Sequence, residues 1–316
     1  MSAKIHPPKG DRALVTGANG FVGAAICRHL AARGWSLRGS TRNETAALPQ
    51  GVERIVTGSI DAGTDWSAGM ADVDAVVHCA ARVHVLAESA PDPLAAFRKT
   101  NVDAAAALAR HAVALAVRRI VLVSSIGAAV AENQAETANP YQKSKREAET
   151  ALAEILRGTE TSLVVLRPPL IYGPGAPGNI RRLESLIAKG LPLPLAGIDN
   201  RRSLLYIGNL TSAVEAALRV AEVSASPLAL SDGRDLSTPE LVRHIAQAKG
   251  RSPRLLPFPV SLLKTLARLL GREAAVTALT SSLTIDNEPI RKALGWCPPF
   301  SVDEGLKASF ATSAEA

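Results

Sequence analysis

The chain has 316 residues, 47% apolar and 21% charged, enough to bury a substantial core and against a disordered chain. Its 36 Lys and Arg against 29 Asp and Glu give a net charge of +7, which suits an anionic ligand; dispersed cations and 3% aromatics argue against nucleic acid as a partner. Cys27, Cys79 and Cys297 are odd in number and far apart, as expected of free thiols, no Cys/His spacing suggests a metal, and the absence of both an apolar signal core in residues 1–11 and an 18-residue apolar run makes a cytoplasmic enzyme without a transmembrane segment the expectation.

In chain order, residues 12–16 read as a first strand and 21–33 as a helix closed by Gly34. Residues 36–41, 52–57 and 73–78 read as further strands, 95–117 as one long Ala-rich helix, 119–124 as a fifth strand, 141–156 as a helix and 162–167 as a sixth strand. This alternation predicts an α/β fold, a doubly wound parallel sheet of Rossmann type. From Pro168 on, six prolines crowd about 27 residues, and a smaller C-terminal lobe is expected. The predicted division is 1–168 for a dinucleotide-binding domain and 169–316 for a substrate-binding lobe, with segments at about 203–231 returning to the main sheet. Residues 209–220 and 238–249 read as helices, the second capped by Ser237 with Pro239 in its first turn. Residues 260–270 carry five leucines with Lys264 and Arg268 between them. A basic amphipathic helix of this kind can lie on a membrane, but a packed helix of the smaller lobe with two exposed cations is the expectation.

Three stretches carry chemistry. Gly17, Asn19, Gly20, Phe21, Val22 and Gly23 follow the first strand and open a helix. Glycines at this spacing permit a tight turn, close approach to a pyrophosphate and close helix–strand packing, and the helix N-terminus faces the phosphates. NAD(P) is the expected cofactor. Arg42, with Arg38 nearby and no acid at the end of the second strand, leans the choice toward NADP over NAD. Asp61, after Ile60, is placed to meet the adenine amine, and the small Ala80 and Ala81 leave room beside the cofactor. The third stretch is Tyr141 with Lys145, which share one helix face. A cation beside a phenol is expected to pull the phenol's pKa toward neutrality, equipping it as an acid and base.

The glycine loop, Ser124-Ser125 ending the fifth strand, and Tyr141-Gln142-Lys143-Ser144-Lys145 together resemble the short-chain dehydrogenase/reductase superfamily. Length, loop spacing and the late proline-rich region resemble its extended branch, the NAD-dependent epimerase/dehydratase family of nucleotide-sugar enzymes, and Leu170-Ile171-Tyr172-Gly173-Pro174 and Leu294-Gly295-Trp296 extend the likeness over nearly the whole chain. The resemblance implies Tyr141 as acid/base, Lys145 on the nicotinamide ribose, and Ser125 on the reacting oxygen. It implies Ser124, Asn101 and Pro168 around the cofactor, with Asn101 orienting the helices. On the sugar side it implies Asn179, Arg202 and Asp286, and Arg82 and His84 follow the fourth strand within reach of the sugar. Ile126 and Gly127 stand where dehydratases carry an acid pair, which argues against dehydration.

The expected function is NAD(P)-dependent oxidoreduction at C4 of a nucleotide sugar. A 4-keto reductase for surface-polysaccharide precursors leads, because of Arg42 and Leu170, and a UDP-sugar 4-epimerase is the alternative. A non-sugar ketone reductase and a dinucleotide-sensing protein are alternatives of other classes. A homodimer is expected from the resemblance.

Overall fold

A computed structural model describes residues 11–83, 91–222 and 226–310. In chain order the elements are β1 (Arg12–Thr16), α1 (Phe21–Ala32), β2 (Ser36–Thr41), β3 (Val52–Val56), α2 (Ser67–Met70), β4 (Ala75–His78), α3 (Pro93–Arg98), α4 (Ala104–Ala114), β5 (Arg119–Val123), α5 (Gly127–Asn133), α6 (Pro140–Leu156) and β6 (Ser162–Arg167). After them come β7 (Leu170–Tyr172), α7 (Asn179–Ala188), β8 (Leu204–Tyr206), α8 (Ile207–Arg219), β9 (Leu228–Ala229), α9 (Thr238–Ala248), α10 (Val260–Leu269), α11 (Glu273–Thr280), α12 (Glu288–Leu294) and α13 (Val302–Phe310).

The chain divides into two compact units. The first takes residues as far as Pro169, with Thr211–Leu230 and Glu288–Cys297; the second takes Leu170–Leu210, Ser231–Asn287 and the residues from Pro298 on. The first unit is built on a seven-stranded sheet in the order β3-β2-β1-β4-β5-β6-β9, every neighbouring pair parallel. This is the doubly wound Rossmann-type sheet that the alternating pattern predicted. The strand order reverses between β1 and β4, so the ends of these strands, Thr16 and His78 in register, flank the crevice where such sheets take ligands. β4 and β5 are buried along their whole lengths, which is why they read as unbroken apolar runs. Leu14, Val76, Ile120 and Leu122 of the sheet pack with Trp66, just before α2, and with Met70, Leu108 and Leu152 of the helices in one core cluster.

The single helix expected over 95–117 is interrupted. α3 and α4 are joined by one π-turn over Lys99–Asp103, and α4 stops at Ala114 because Ala116 turns left-handed at φ 54°. Thr100, Asn101, Val102 and Asp103 in this turn are poor helix formers, but low propensity does not distinguish a wider turn from an ordinary one. The turn holds Asn101, which is buried and hydrogen-bonded. α6 is fixed at its start by a reciprocal cap: Asn139 accepts from the Gln142 N–H while the Gln142 side chain accepts from the Asn139 N–H, and Pro140 fills the first helical position.

α8, from Thr211 on, is fastened to the sheet by buried Arg119. Its guanidinium donates to the carbonyls of Ala217 and Leu218 at 3.0 and 3.1 Å and to the Ser162 hydroxyl at 3.0 Å. A cation at a helix C-terminus satisfies the carbonyls that the last turn leaves unpaired. β9 then adds to β6 as the seventh strand.

In the second unit β7 and β8 form a separate parallel pair. Buried Asp232 organises it, accepting from the Tyr172 hydroxyl at 2.7 Å, the Asn209 amide at 2.7 Å and the Tyr206 N–H at 2.8 Å. α9 has the expected Ser237 cap, completed by Glu240. α10 differs from expectation. It adjoins α11 but buries only Ala267 of its ten residues, so it is not a packed core helix.

Candidate active site

The crevice at the ends of β1 and β4 is lined by the glycine turn. Gly17 lies at φ +65°, and a Cβ on it would stand 3.1 Å from the Ala80 Cα. A Cβ on Gly23 would stand 2.2 Å from the Gly17 carbonyl oxygen, so no side chain fits there. α1 starts at Gly20 without a side-chain cap, which leaves its first N–H groups for an anion. This cradle fits a dinucleotide pyrophosphate, with Asn19, Phe21 and Val22 on the same turn. Thr16 secures the opposite wall: its Oγ1 accepts from the N–H groups of Cys79 and Ala80, both at 3.0 Å. Both lone pairs are then used, so the hydroxyl donates to Nδ1 of His78 at 2.9 Å, which assigns that ring its proton on Nε2. Burial and the nearby Lys145 cation push the His78 pKa down to about 3, so it is neutral at physiological pH.

Ser125, Tyr141 and Lys145 are brought together where β5 gives way to α5 and beside the first turns of α6. The side chains of Tyr141 and Ser125 are hydrogen-bonded, and Ser125 Oγ also accepts from the Gly127 N–H at 3.1 Å. Lys145 is buried and donates from Nζ to the Val123 carbonyl at 2.9 Å. The expected lowering of the Tyr141 pKa is not what this arrangement produces. Burial raises it, the Ser125 hydrogen bond opposes the rise, and Lys145 is not among the causes. Burial desolvates Lys145, so its own pKa falls to about 8 against the opposing pull of the Glu149 carboxylate.

This depression has a stability consequence. In the unfolded chain the amine keeps its ordinary value of 10.5, so between about pH 8 and 10.5 the unfolded chain holds the extra proton. The stability that depends on this group therefore rises with pH across that window and is at its lowest below pH 8. The stability difference between the cofactor-free protein and Lys145→Met, followed by urea unfolding, is expected to grow by about 3 kcal/mol from the bottom to the top of the window. A flat difference would mean that the buried amine titrates normally.

Behind the Tyr–Lys pair lies a network that the sequence did not announce. Glu149, one turn beyond Lys145, is buried and accepts from the Ser124 hydroxyl. Arg167 donates to both of its oxygens, Nε at 3.1 and 3.2 Å and Nη2 at 2.6 Å, and reaches Glu132 at 3.1 Å. Arg146 closes the cluster on Glu132 at 2.9 Å. The available signal was Glu149 itself, at i+4 from Lys145 on the same helix face. Pro168 follows Arg167 and accepts the Ile126 N–H at 2.9 Å. A second unannounced feature is Phe97: the Arg82 guanidinium lies 5.5 Å from its ring centre, and the Phe97 ring meets Tyr141 edge-on at 6.1 Å.

The other predicted residues have the following surroundings. The Ser124 hydroxyl donates to Glu149 and so faces the ion network. Asn101 uses its oxygen on the Arg82 N–H at 2.7 Å and its amide on the Arg82 carbonyl and the Ser144 hydroxyl at 3.1 and 2.9 Å; it ties the β4 exit to α6. Arg38 is consumed by Glu53, its cross-strand partner on β3, at 3.0 Å and by carbonyls of Ala68 and Ala71, so of the two expected cations only Arg42 is exposed. Asp61 accepts from Gly63 N–H at 2.9 Å and pairs with Lys99 at 3.4 Å, while Ile60 packs on the core cluster. Ala80 and Ala81 are half-buried. His84 lies outside the described residues. In the second unit, Asn179 is exposed at the first turn of α7, Arg202 is held by the carbonyl and hydroxyl of Ser281 at 2.9 and 2.8 Å, and Asp286 is exposed.

The pattern of the NAD dependent epimerase/dehydratase family matches residues 13–229. The UDP-glucose 4-epimerase of Vibrio cholerae is 32% identical over 305 residues, covering 93% of this chain and 93% of that one. The N-acetyl-alpha-D-glucosaminyl-diphospho-ditrans,octacis-undecaprenol 4-epimerase of Escherichia coli O157:H7 is 24% identical, covering 94% of this chain and 93% of its own. Among solved structures, MoeE5 in complex with UDP-glucuronic acid and NAD superposes with a TM-score of 0.74 at 22% identity, covering 95% of this chain and 97% of that one.

Proposed function

The chain belongs to the NAD dependent epimerase/dehydratase family, and on that premise we propose that it is an NAD-dependent 4-epimerase of a UDP-activated hexose or N-acetylhexosamine. The observation that carries this reading is the Ser125–Tyr141 hydrogen bond beside buried Lys145, in a chain similar to a UDP-glucose 4-epimerase over 93% of its length. Gly17, Gly20, Gly23 and the start of α1 hold the dinucleotide phosphates. The dinucleotide, when bound, would supply the acceptor and donor of the hydride at C4 of the sugar. Tyr141 accepts the proton of the 4-hydroxyl and gives it back, and Ser125 holds the same oxygen by a hydrogen bond. Lys145 orients the nicotinamide ribose and supplies positive charge near the phenol. Its carbonyl bond at Val123 fixes where that charge sits. Asn179, Arg202 and Asp286 are assigned to the nucleotide diphosphate side, where a guanidinium fork suits phosphate.

The one-way 4-keto reductase gives way to the epimerase as the leading reading. Its support was Arg42 and Leu170, and against it stands the likeness to the Vibrio cholerae UDP-glucose 4-epimerase over 93% of this chain. The lean toward NADP now rests on Arg42 alone, and NAD is preferred. A homodimer and a cytoplasmic location are part of the same reading. Among the described residues no helix is long and apolar enough to cross a membrane.

The test is incubation of the purified protein in deuterium oxide with UDP-glucose, and separately with UDP-N-acetylglucosamine. The C4 epimer is expected to accumulate to an equilibrium ratio without net NADH formation and without deuterium at C4, because the same hydride returns. If no epimer formed, and a UDP-4-keto sugar were reduced with one reduced cofactor consumed per turnover, the reductase would replace it.

A further inference from the structure

Residues 250–272 carry Arg251, Arg254, Lys264, Arg268 and Arg272 and no carboxylate, and all five cations are exposed. Arg268 pairs with Glu273 at 3.2 Å, just past the stretch. The stretch contains α10, in which Leu262, Leu266 and Leu269 recur at intervals of four and three and so form one stripe. They are 47%, 43% and 79% exposed, and Leu270 beside them is 71% exposed. Apolar side chains this open, on a helix that buries only Ala267, are a face without a covering partner within their own unit.

The charge decides which occupant fits. The leucine stripe alone would also suit a second copy of this chain, but five exposed cations with no carboxylate among residues 250–272 match an anionic partner. An anionic lipid surface satisfies both properties at once. At roughly 100° per residue, Lys264 and Arg268 stand on the side of α10 opposite the leucine stripe. A helix is about 10–12 Å across. With the leucines at the edge of the acyl chains, its far side therefore lies at the level of the lipid phosphates.

We propose that α10 docks this protein on an anionic phospholipid surface, with Leu262, Leu266 and Leu269 inserted at the headgroup–acyl boundary and Arg251, Arg254, Lys264 and Arg272 on the phosphates. This inference does not depend on the sugar or the reaction assigned above.

The test is co-sedimentation of the full chain with vesicles of phosphatidylglycerol and phosphatidylcholine, against vesicles of phosphatidylcholine alone. Binding is expected to the first only, and to weaken as salt rises. The triple variant Leu262→Ser, Leu266→Ser, Leu269→Ser is expected to lose tenfold or more in partitioning. Arg251→Ser, Arg254→Ser and Lys264→Ser are expected to lose about fivefold each. Both sets change exposed residues, so melting temperature and turnover of a soluble substrate are expected to stay as in the parent. Binding to neither vesicle overturns the proposal, as does partitioning unchanged in the leucine variant. So does a dimer, measured by sedimentation velocity, that the leucine variant dissociates.

Discussion

Replacing Tyr141 with phenylalanine is expected to lower kcat by about 10²–10⁴-fold, the range for loss of a positioned acid/base. The change removes one oxygen and keeps the ring that meets Phe97 edge-on, so the packing around α3 and α6 is preserved. Dinucleotide binding, governed by the glycine turn at the end of β1, is expected to stay within a few-fold of the parent, and the melting temperature is expected not to move. Direct titration with NAD followed by single-turnover kinetics separates the two steps. Unchanged turnover would remove Tyr141 from the chemistry. The burial that raises the phenol's pKa keeps it protonated in the cofactor-free protein, with the Ser125 hydrogen bond pulling the other way. In the proposed reaction the proton that completes sugar reduction is thus already on Tyr141.

The second large effect is on stability. Glu149→Ala is expected to cost about 3–5 kcal/mol, the usual loss when one member of a buried ion pair is removed. The deletion leaves Arg167 buried with only Glu132, a half-exposed carboxylate, and takes the acceptor from the Ser124 hydroxyl. Urea unfolding measures the loss, and Glu149→Gln, which keeps an acceptor for Ser124, is expected to fall between the two. A loss below about 1 kcal/mol would place the pair in the class of surface salt bridges. Because Glu149 also holds the Lys145 pKa up, its removal makes that amine easier to neutralise, so the damage reaches the Tyr–Lys pair as well as the fold.

What could be read without coordinates follows from the range of the interactions. The buried parallel strands are short apolar runs, and β1, β2 and β6 coincide with the predicted spans. Glycines 17 and 23 were legible because their requirement is local: the turn takes Gly17 to φ +65°, and a Cβ on Gly23 would meet the Gly17 carbonyl. The fate of Arg38 was not legible, since Glu53 becomes its neighbour only through the β2–β3 register. Glu149 and Arg167 are eighteen residues apart in sequence and meet only when α6 lies against β6. The Tyr141 pKa was misjudged because spacing gives the cation's position on a helix but not how deeply each group is buried. α10 shows a like limit: a leucine period is identical whether the stripe faces a core or solvent, and only accessibility tells them apart.

The way Arg119 fastens α8 bears on how the molecule is made. The first unit is completed by chain that arrives late: α8 from Thr211, β9, and then α12, which packs against β9. A ribosome that has released residues only as far as Pro169 has synthesised six strands, but β6 is still a bare edge, open to pairing with other chains. The Arg119 guanidinium has no Ala217 or Leu218 carbonyl to meet at that stage. The dinucleotide-binding half therefore cannot finish folding ahead of the rest, and a fragment cut at its apparent end is a candidate for aggregation.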